Sequence, residues 1–208
     1  MKNSTQKKTV VLPNETIQTI YQRRSVRKFM DISVDKNTIE MIVNAGRMAP
    51  SAINKQPWQF HVLTKYEDLE AISKAVSKKL IKGVLKTGLK GLINSVKEFI
   101  HFPNKANFMN LRDPVFHGAP IVIVISAPKD NEWASIDVGM CAQNMLLAAK
   151  SLGLDTCPIG MIKFLDDAVL LKKLNIPPAN EIKIAIGLGY GDEQPTPHDR
   201  INDNLFYI

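Results

Sequence analysis

Residues 49–60 read APSAINKQPWQF. Before this stretch, Ile39, Ile42, Val43 and Gly46 recur at helical spacing, and Ser33 or Asp35 stands where a helix cap belongs. Pro50 closes that pattern. After Pro57, the run WQFHVL (58–63) alternates Trp58, Phe60 and Val62, as a strand with one buried face should. Between the prolines lie Ser51, Asn54 and Gln56, all able to hydrogen-bond. They form either an ordinary helix-to-strand corner or a set of polar groups aimed at a ligand.

Working outward, residues 14–22 place Ile17, Ile20 and Tyr21 at helical spacing. IVIVI (121–125) is apolar on both faces, which predicts a central strand. Residues 131–154 read as a long helix ending at Gly153, with Gly139, Ala142, Ala148 and Ala149 small enough to admit another helix closely. A short helix is expected over 166–174, closed by NIPP, and a strand over EIKIAIGLGYG (181–191). Strands and helices alternate too irregularly for a doubly wound sheet, so the predicted fold class is α+β. No internal repeat is visible, and 208 residues suit one domain.

Composition excludes several classes. The chain is 45% apolar and 23% charged, as globular proteins are. It has no apolar run of the roughly 18 residues that a membrane span needs. The N-terminal stretch MKNSTQKKTVVLPNET lacks an apolar segment of signal-peptide length, so a cytoplasmic location is expected. Cys141 and Cys157 are too few for a disulfide framework. His61, His101, His117 and His198 show no ligand-like spacing, and no metal site is expected.

The net charge of +7 is concentrated: between Lys78 and Lys105, seven lysines face one acid, Glu98. The remainder is close to neutral, which argues against a nucleic-acid-coating surface. Within KKLIKGVLKTGLKGLINSVKEFI (78–100), Lys78, Lys82, Lys86 and Lys90 share one helical face and Ile81, Leu85, Leu89, Leu92 and Val96 another. Gly83, Gly88 and Gly91 interrupt it. Three readings stay open: a helix packed on the core, a mobile lid over a pocket, or a membrane-surface element.

YQRRSVRKF (21–29) gathers Arg23, Arg24, Ser25 and Arg27 into five residues. Arginine offers paired N–H donors that match phosphate oxygens, so this is a candidate phosphate clamp; the alternative is a solvated loop ending a helix. GLGYG (187–191) is no dinucleotide turn, because Pro195 and Pro197 follow it where a helix would have to begin. Its glycines mark close backbone packing instead. Cys157 reads as a small buried filler or a reactive thiol, and Asp137 as a hydrogen-bonded structural acid. No nucleophile with its base can be ordered from the sequence.

Taken in order, RRSVRKF, APSAINKQPW, DPVFHGAPIVIVI, DVGMCAQNMLLAAKSLGLDTCPIGM, IAIGLGYGDEQP and Arg200 resemble the nitroreductase family of FMN-dependent oxidoreductases, over about residues 14–64 and 112–200. The resemblance implies a mostly antiparallel central sheet flanked by helices, in one FMN-binding domain spanning 1–208. Residues 66–111 would be a variable, Lys-rich helical cap. It also implies a homodimer whose C-terminal extension packs on the partner. Arg23, Arg24, Ser25 and Arg27 would hold the phosphate, ribityl chain and pyrimidine edge of FMN. Arg200, with His198 where a Lys is common, would add charge at the phosphate. Pro50, Ser51, Ala52, Asn54 and Gln56 would form a wall contributed from the other subunit, with Trp58 anchoring it to the core. Pro158, Ile159, Gly160 and Met161 would lie along the flavin ring, a backbone N–H near Gly160 facing N5. Many family members carry an acid beside the flavin where this chain has PIGM. The activity implied is transfer of hydride from NAD(P)H through flavin N5 to a small acceptor such as a nitroaromatic or quinone, with no protein nucleophile. Same-fold ene-reduction, dehalogenation or flavin consumption, and a non-enzymatic FMN-binding redox sensor, are the alternatives.

Overall fold

The structure is a computed structural model that describes residues 14–97 and 113–208; from 84 to 97 the description is of the backbone. Four strands form one antiparallel sheet in the order β1-β2-β4-β3: β1 (Gln59–Leu63), β2 (Ile121–Pro128), β3 (Asp155–Ile159) and β4 (Asn180–Gly189). The antiparallel sheet flanked by helices agrees with the expected α+β class.

β2 shows why IVIVI is central. Ile121, Ile123 and Ile125 face one apolar cluster with Trp58 and residues of α2 (Lys36–Arg47) and α4 (Ala134–Ser151). Val122 and Val124 face a second cluster with Leu69, Ile72 and Val76 of α3 (Tyr66–Lys97). Period-two alternation therefore feeds both faces, and helices cover the sheet on each side.

α2 begins at Asp35, whose carboxylate accepts the Thr38 N–H at 2.9 Å, and buries Ile39, Ile42, Val43 and Gly46. Gly46 lies hard against α4: a Cβ there would come within 2.7 Å of Met145 Cγ. α4 stops as expected at Gly153, where φ is +77°. The Leu154 N–H reaches the Ala149 carbonyl (2.9 Å) and the Gly153 N–H that of Lys150 (3.1 Å), the doubly bonded C-terminal motif that glycine permits.

Several expectations need correction. Val62 is exposed, not buried; Phe60 and Leu63 carry the packing of β1, which is an edge strand. β3 was not expected, because Pro158 and Asp155 disguise it. As the other edge of the sheet it tolerates a proline. α3 runs unbroken through Gly83, Gly88 and Gly91 and starts twelve residues before Lys78, at Tyr66. Its first half packs on the core through Leu69, Ile72 and Val76. Residues 98–111 of the expected cap, with His101 and Lys105, lie outside the described residues, as do the side chains of Lys86, Lys90 and Lys97.

α1 (Glu15–Gln22), capped by Asn14, touches α4 but has no fully buried residue, and Ile17, Ile20 and Tyr21 remain partly exposed. α5 (Ala168–Lys173) is the short helix before β4.

Candidate functional site

The Arg-rich segment is threaded along the outer edge of β3. Ser25 forms a parallel bridge to Thr156, and the Val26 N–H donates to the Thr156 carbonyl at 3.0 Å. Beyond it, Phe29 bridges Gly191, Met30 donates to the Tyr190 carbonyl (2.8 Å) and Asp192 donates to the Lys28 carbonyl (2.8 Å). The Arg27 N–H donates to Glu193 Oε1. Val26 is buried and fixes the register, which sets Arg23, Ser25 and Arg27 on one side and Arg24 on the other. Arg24 lines a cavity of about 430 Å³ with Lys150, Asp155 and Glu193, and donates to the carbonyls of Tyr21 (2.6 Å) and Arg23 (2.8 Å).

Arg23 carries the decisive feature. Its Nη1 is buried and has no hydrogen-bond partner among the described residues. Burial, then repulsion from Arg24 and Arg200, pulls its pKa below the ordinary arginine value. Arg200, a long way along the chain, is thus brought beside Arg23. Its guanidinium is braced by the carbonyls of His198 (2.9 Å) and Asp199 (3.3 Å). None of Arg23, Arg24, Arg27 and Arg200 pairs with a carboxylate among the described residues. Glu193 stands close by, on the Arg27 backbone N–H, without forming such a pair. Arg23, Arg27 and Arg200 bring positive charge together, and such a cluster fits an anion with several acceptor oxygens, as a phosphate has.

β3 leads from this cluster to the PIGM turn. Thr156 to Gly160 is four residues, about 13 Å of strand. Pro158 and Ile159 end β3, and Gly160 and Met161 open a 3-10 turn over Gly160–Phe164. Cys157, between Thr156 and Pro158, is buried, which pushes its thiol up to about 11. It is the filler, not the reactive thiol.

The loop 50–56 stands apart from the cluster. Pro50, Ser51, Ala52, Ile53 and Lys55 line a cavity of about 730 Å³ with Trp133, Ile136, Asp137 and Met140 of the α4 region. No hydrogen bond joins this loop to Arg23, Arg24, Arg27 or Arg200 among the described residues. Ile53, Asn54 and Gln56 all have φ near +50° (47°, 57° and 47°). The bend is tied by Gln56 N–H to Ser51 Oγ (2.9 Å), Gln56 Nε2 to Asn54 Oδ1 (3.0 Å) and Ala52 N–H to Asp137 Oδ1 (3.1 Å). Left-handed non-glycine residues concentrate where function needs a particular backbone. Trp58 is buried behind the loop as expected.

His117 is a half-buried polar residue near Arg27 that the sequence does not single out. It sits at φ +60°, beside Gly118 at +73°, and its Nδ1 is buried without a partner. Burial, then the nearby Arg27, lowers its pKa to about 4, against the pull of Asp113. Nothing in HGAP signals this, because the turn is set by Asp113, whose carboxylate accepts the N–H groups of Val115, Phe116 and Gly118. Among the described residues no three His, Cys, Asp or Glu side chains cluster as metal ligands, and no helix is long and apolar enough to cross a membrane.

The profile of the Nitroreductase family matches residues 20–190. The chain belongs to the nitroreductase family. Chloronitrobenzene nitroreductase of Comamonas testosteroni is 30% identical to this nitroreductase-family chain over 197 residues, covering 83% of it and 85% of the relative. Nitrobenzene nitroreductase of Ectopseudomonas oleovorans is 28% identical over 200 residues (83% and 85%). Among solved structures, a nitroreductase with bound FMN from Desulfitobacterium hafniense superposes with a TM-score of 0.78 at 23% identity, covering 95% of this chain and all (100%) of the other. One from Bacteroides fragilis, also with bound FMN, gives 0.71 at 25% identity (94% and 99%). The α+β fold, with its antiparallel sheet and flanking helices, is thus nitroreductase-like.

Proposed function

We propose that this nitroreductase-family chain binds FMN and reduces small acceptors, nitroaromatics or quinones, at the expense of NAD(P)H. The observation that carries the reading is the buried Nη1 of Arg23, which has no hydrogen-bond partner among the described residues and lies near the like charges of Arg24 and Arg200. Arg23, Ser25 and Arg27 would grip the phosphate and ribityl end, with Arg200 closing over it from the tail and His198 beside it. Each charge-assisted hydrogen bond contributes about 1.5–3 kcal/mol, so a few account for much of a sub-micromolar affinity. Pro158–Met161 would lie along the ring, reached from the clamp along β3. When bound, FMN supplies the redox chemistry, accepting hydride at N5 and passing reducing equivalents on. The protein's part is to bind, to orient and to exclude water.

We further propose that two copies pair. Trp133 at the start of α4 and Ile136 and Met140 on it stay exposed, as do Ile17, Ile20 and Tyr21 on α1, and Gly139 has open space above it. The tail residues Leu205, Phe206, Tyr207 and Ile208 are exposed too, Tyr207 at 92%. These faces suit a two-fold contact, with the tail packing on the partner and loop 50–56 presented to its flavin. Of the expected cap, the described residues 66–97 form α3, which would stand at the edge of the site.

Titration of the flavin-free protein with FMN and with riboflavin tests the clamp. FMN should bind at least a hundredfold more tightly; equal affinity would rule the clamp out.

A further inference from the structure

Asp137 lies in the first turn of α4, 2% exposed, and faces loop 50–56 from across the cavity. Its Oδ1 accepts the Ala52 N–H at 3.1 Å, a tie spanning 85 residues of chain. Its Oδ2 is equally buried and has no partner among the described residues. No cation pairs with it among the described residues, although Lys55 lines the same cavity; Asp130 and Glu132, which also line it, add more negative charge.

A structural role does not explain this choice of side chain. An asparagine would hold the Ala52 N–H with its amide oxygen and avoid burying a charge with half its acceptor capacity unused. The helix N-terminus eases the charge but does not supply a hydrogen bond. What Asp137 holds is also unusual: the loop's next residue, Ile53, is β-branched and left-handed at φ 47°, and the residue is 87% exposed. A strained backbone persists when its surroundings over-determine it. Among the described residues, Asp137 supplies a hydrogen-bond anchor from outside the loop.

We propose that Asp137 is a positioning residue for loop 50–56, holding Ala52 with Oδ1 and keeping Oδ2 for an N–H or O–H donor that arrives when the flavin site is assembled. This rests on the reading of loop 50–56 as a wall of that site. Asp137 touches neither cofactor nor substrate; it acts through Ala52 and the left-handed turn that follows.

The test uses the full chain and compares D137N with D137A. D137N keeps the acceptor for Ala52 but puts an NH₂ where a donor must arrive. The expected result is a thermal midpoint of the flavin-free D137N protein equal to or above that of the wild type. Its KM for a nitroaromatic should rise at least tenfold with kcat less affected, and the visible circular dichroism of its bound flavin should change. D137A should show the same functional loss. A D137N protein with a lowered midpoint and unchanged KM and dichroism would make Asp137 merely structural, and no change in any of these would equally overturn the proposal. Arg23→Gln is run alongside. If it fails to weaken FMN, the reading of the flavin site has failed; if it weakens FMN while D137N is silent, this inference alone has.

Discussion

The Val26 N–H donates to the Thr156 carbonyl at 3.0 Å, so the segment bearing Arg23 and Arg27 is carried as a parallel neighbour on the edge of β3. The candidate clamp is therefore positioned by the sheet, not by a free loop. Whatever shifts the start of β3 or the segment after β4 shifts the guanidiniums.

Gly191→Ala tests that dependence. A Cβ there would lie 2.6 Å from Asp155 Oδ2 and 3.1 Å from Val26 Cγ1. Asp155 is held by Lys150 at 3.2 Å and Val26 is buried, so the Arg segment must give. FMN affinity should fall roughly tenfold while the far-ultraviolet circular dichroism is kept, a change of about 1.4 kcal/mol. Unchanged affinity would separate the clamp from this packing.

Arg23→Gln removes a guanidinium that is buried among like charges and has an orphaned nitrogen. Loss of one charge-assisted contact of about 1.5–3 kcal/mol predicts FMN binding roughly 10- to 150-fold weaker. Riboflavin affinity, and the unfolding free energy of the flavin-free chain in urea, should not fall. A large loss of stability with FMN affinity intact would place Arg23 in the fold instead.

Much of this arrangement was legible in the sequence. IVIVI could be read as central because both of its faces are apolar; Gly153 marked a helix end by its chemistry, and of the two cap candidates Ser33 and Asp35 the structure uses Asp35. The glycines of GLGYG were read as close packing, and Gly189 shows it: a Cβ there would sit 2.8 Å from Pro120 Cδ. Other features were hidden. Only five residues long and containing Pro158, β3 shows no strand pattern; its partner β4 defines it. The glycines of α3 argued for a break, each weakening a helix by about 1 kcal/mol. Burial of Leu69, Ile72 and Val76 in its first half works against that loss. The left-handed run at Ile53, Asn54 and Gln56 was invisible, since a β-branched residue is a poor advertisement for positive φ.

Ile53→Asn follows from that strain. A left-handed conformation disfavours a β-branched residue by roughly 1–2 kcal/mol, and asparagine adopts it readily. Ile53 is largely exposed, so little packing is lost. The variant should unfold at higher urea, stabilised by about 1 kcal/mol. A destabilised variant would show that the Ile53 side chain is covered in the native assembly.

His117 predicts a pH dependence. Its pKa falls from 6.5 to about 4 in the folded chain through burial and then Arg27, opposed by Asp113. The unfolded chain binds a proton that the native one refuses, so stability is full above pH 6.5 and is lost as pH falls toward 4. The contribution is on the order of 3 kcal/mol. His117→Asn, which suits the positive φ, should flatten the unfolding free energy over that window. An unchanged slope would assign the acid sensitivity elsewhere.

The most direct measurement is made on protein purified without added cofactor: its visible absorption, then its response to NADPH and NADH without oxygen. The account predicts a flavin spectrum, present on purification or restored by FMN, that at least one nicotinamide bleaches and a nitroaromatic then regenerates. Protein that stays colourless in excess FMN would contradict it.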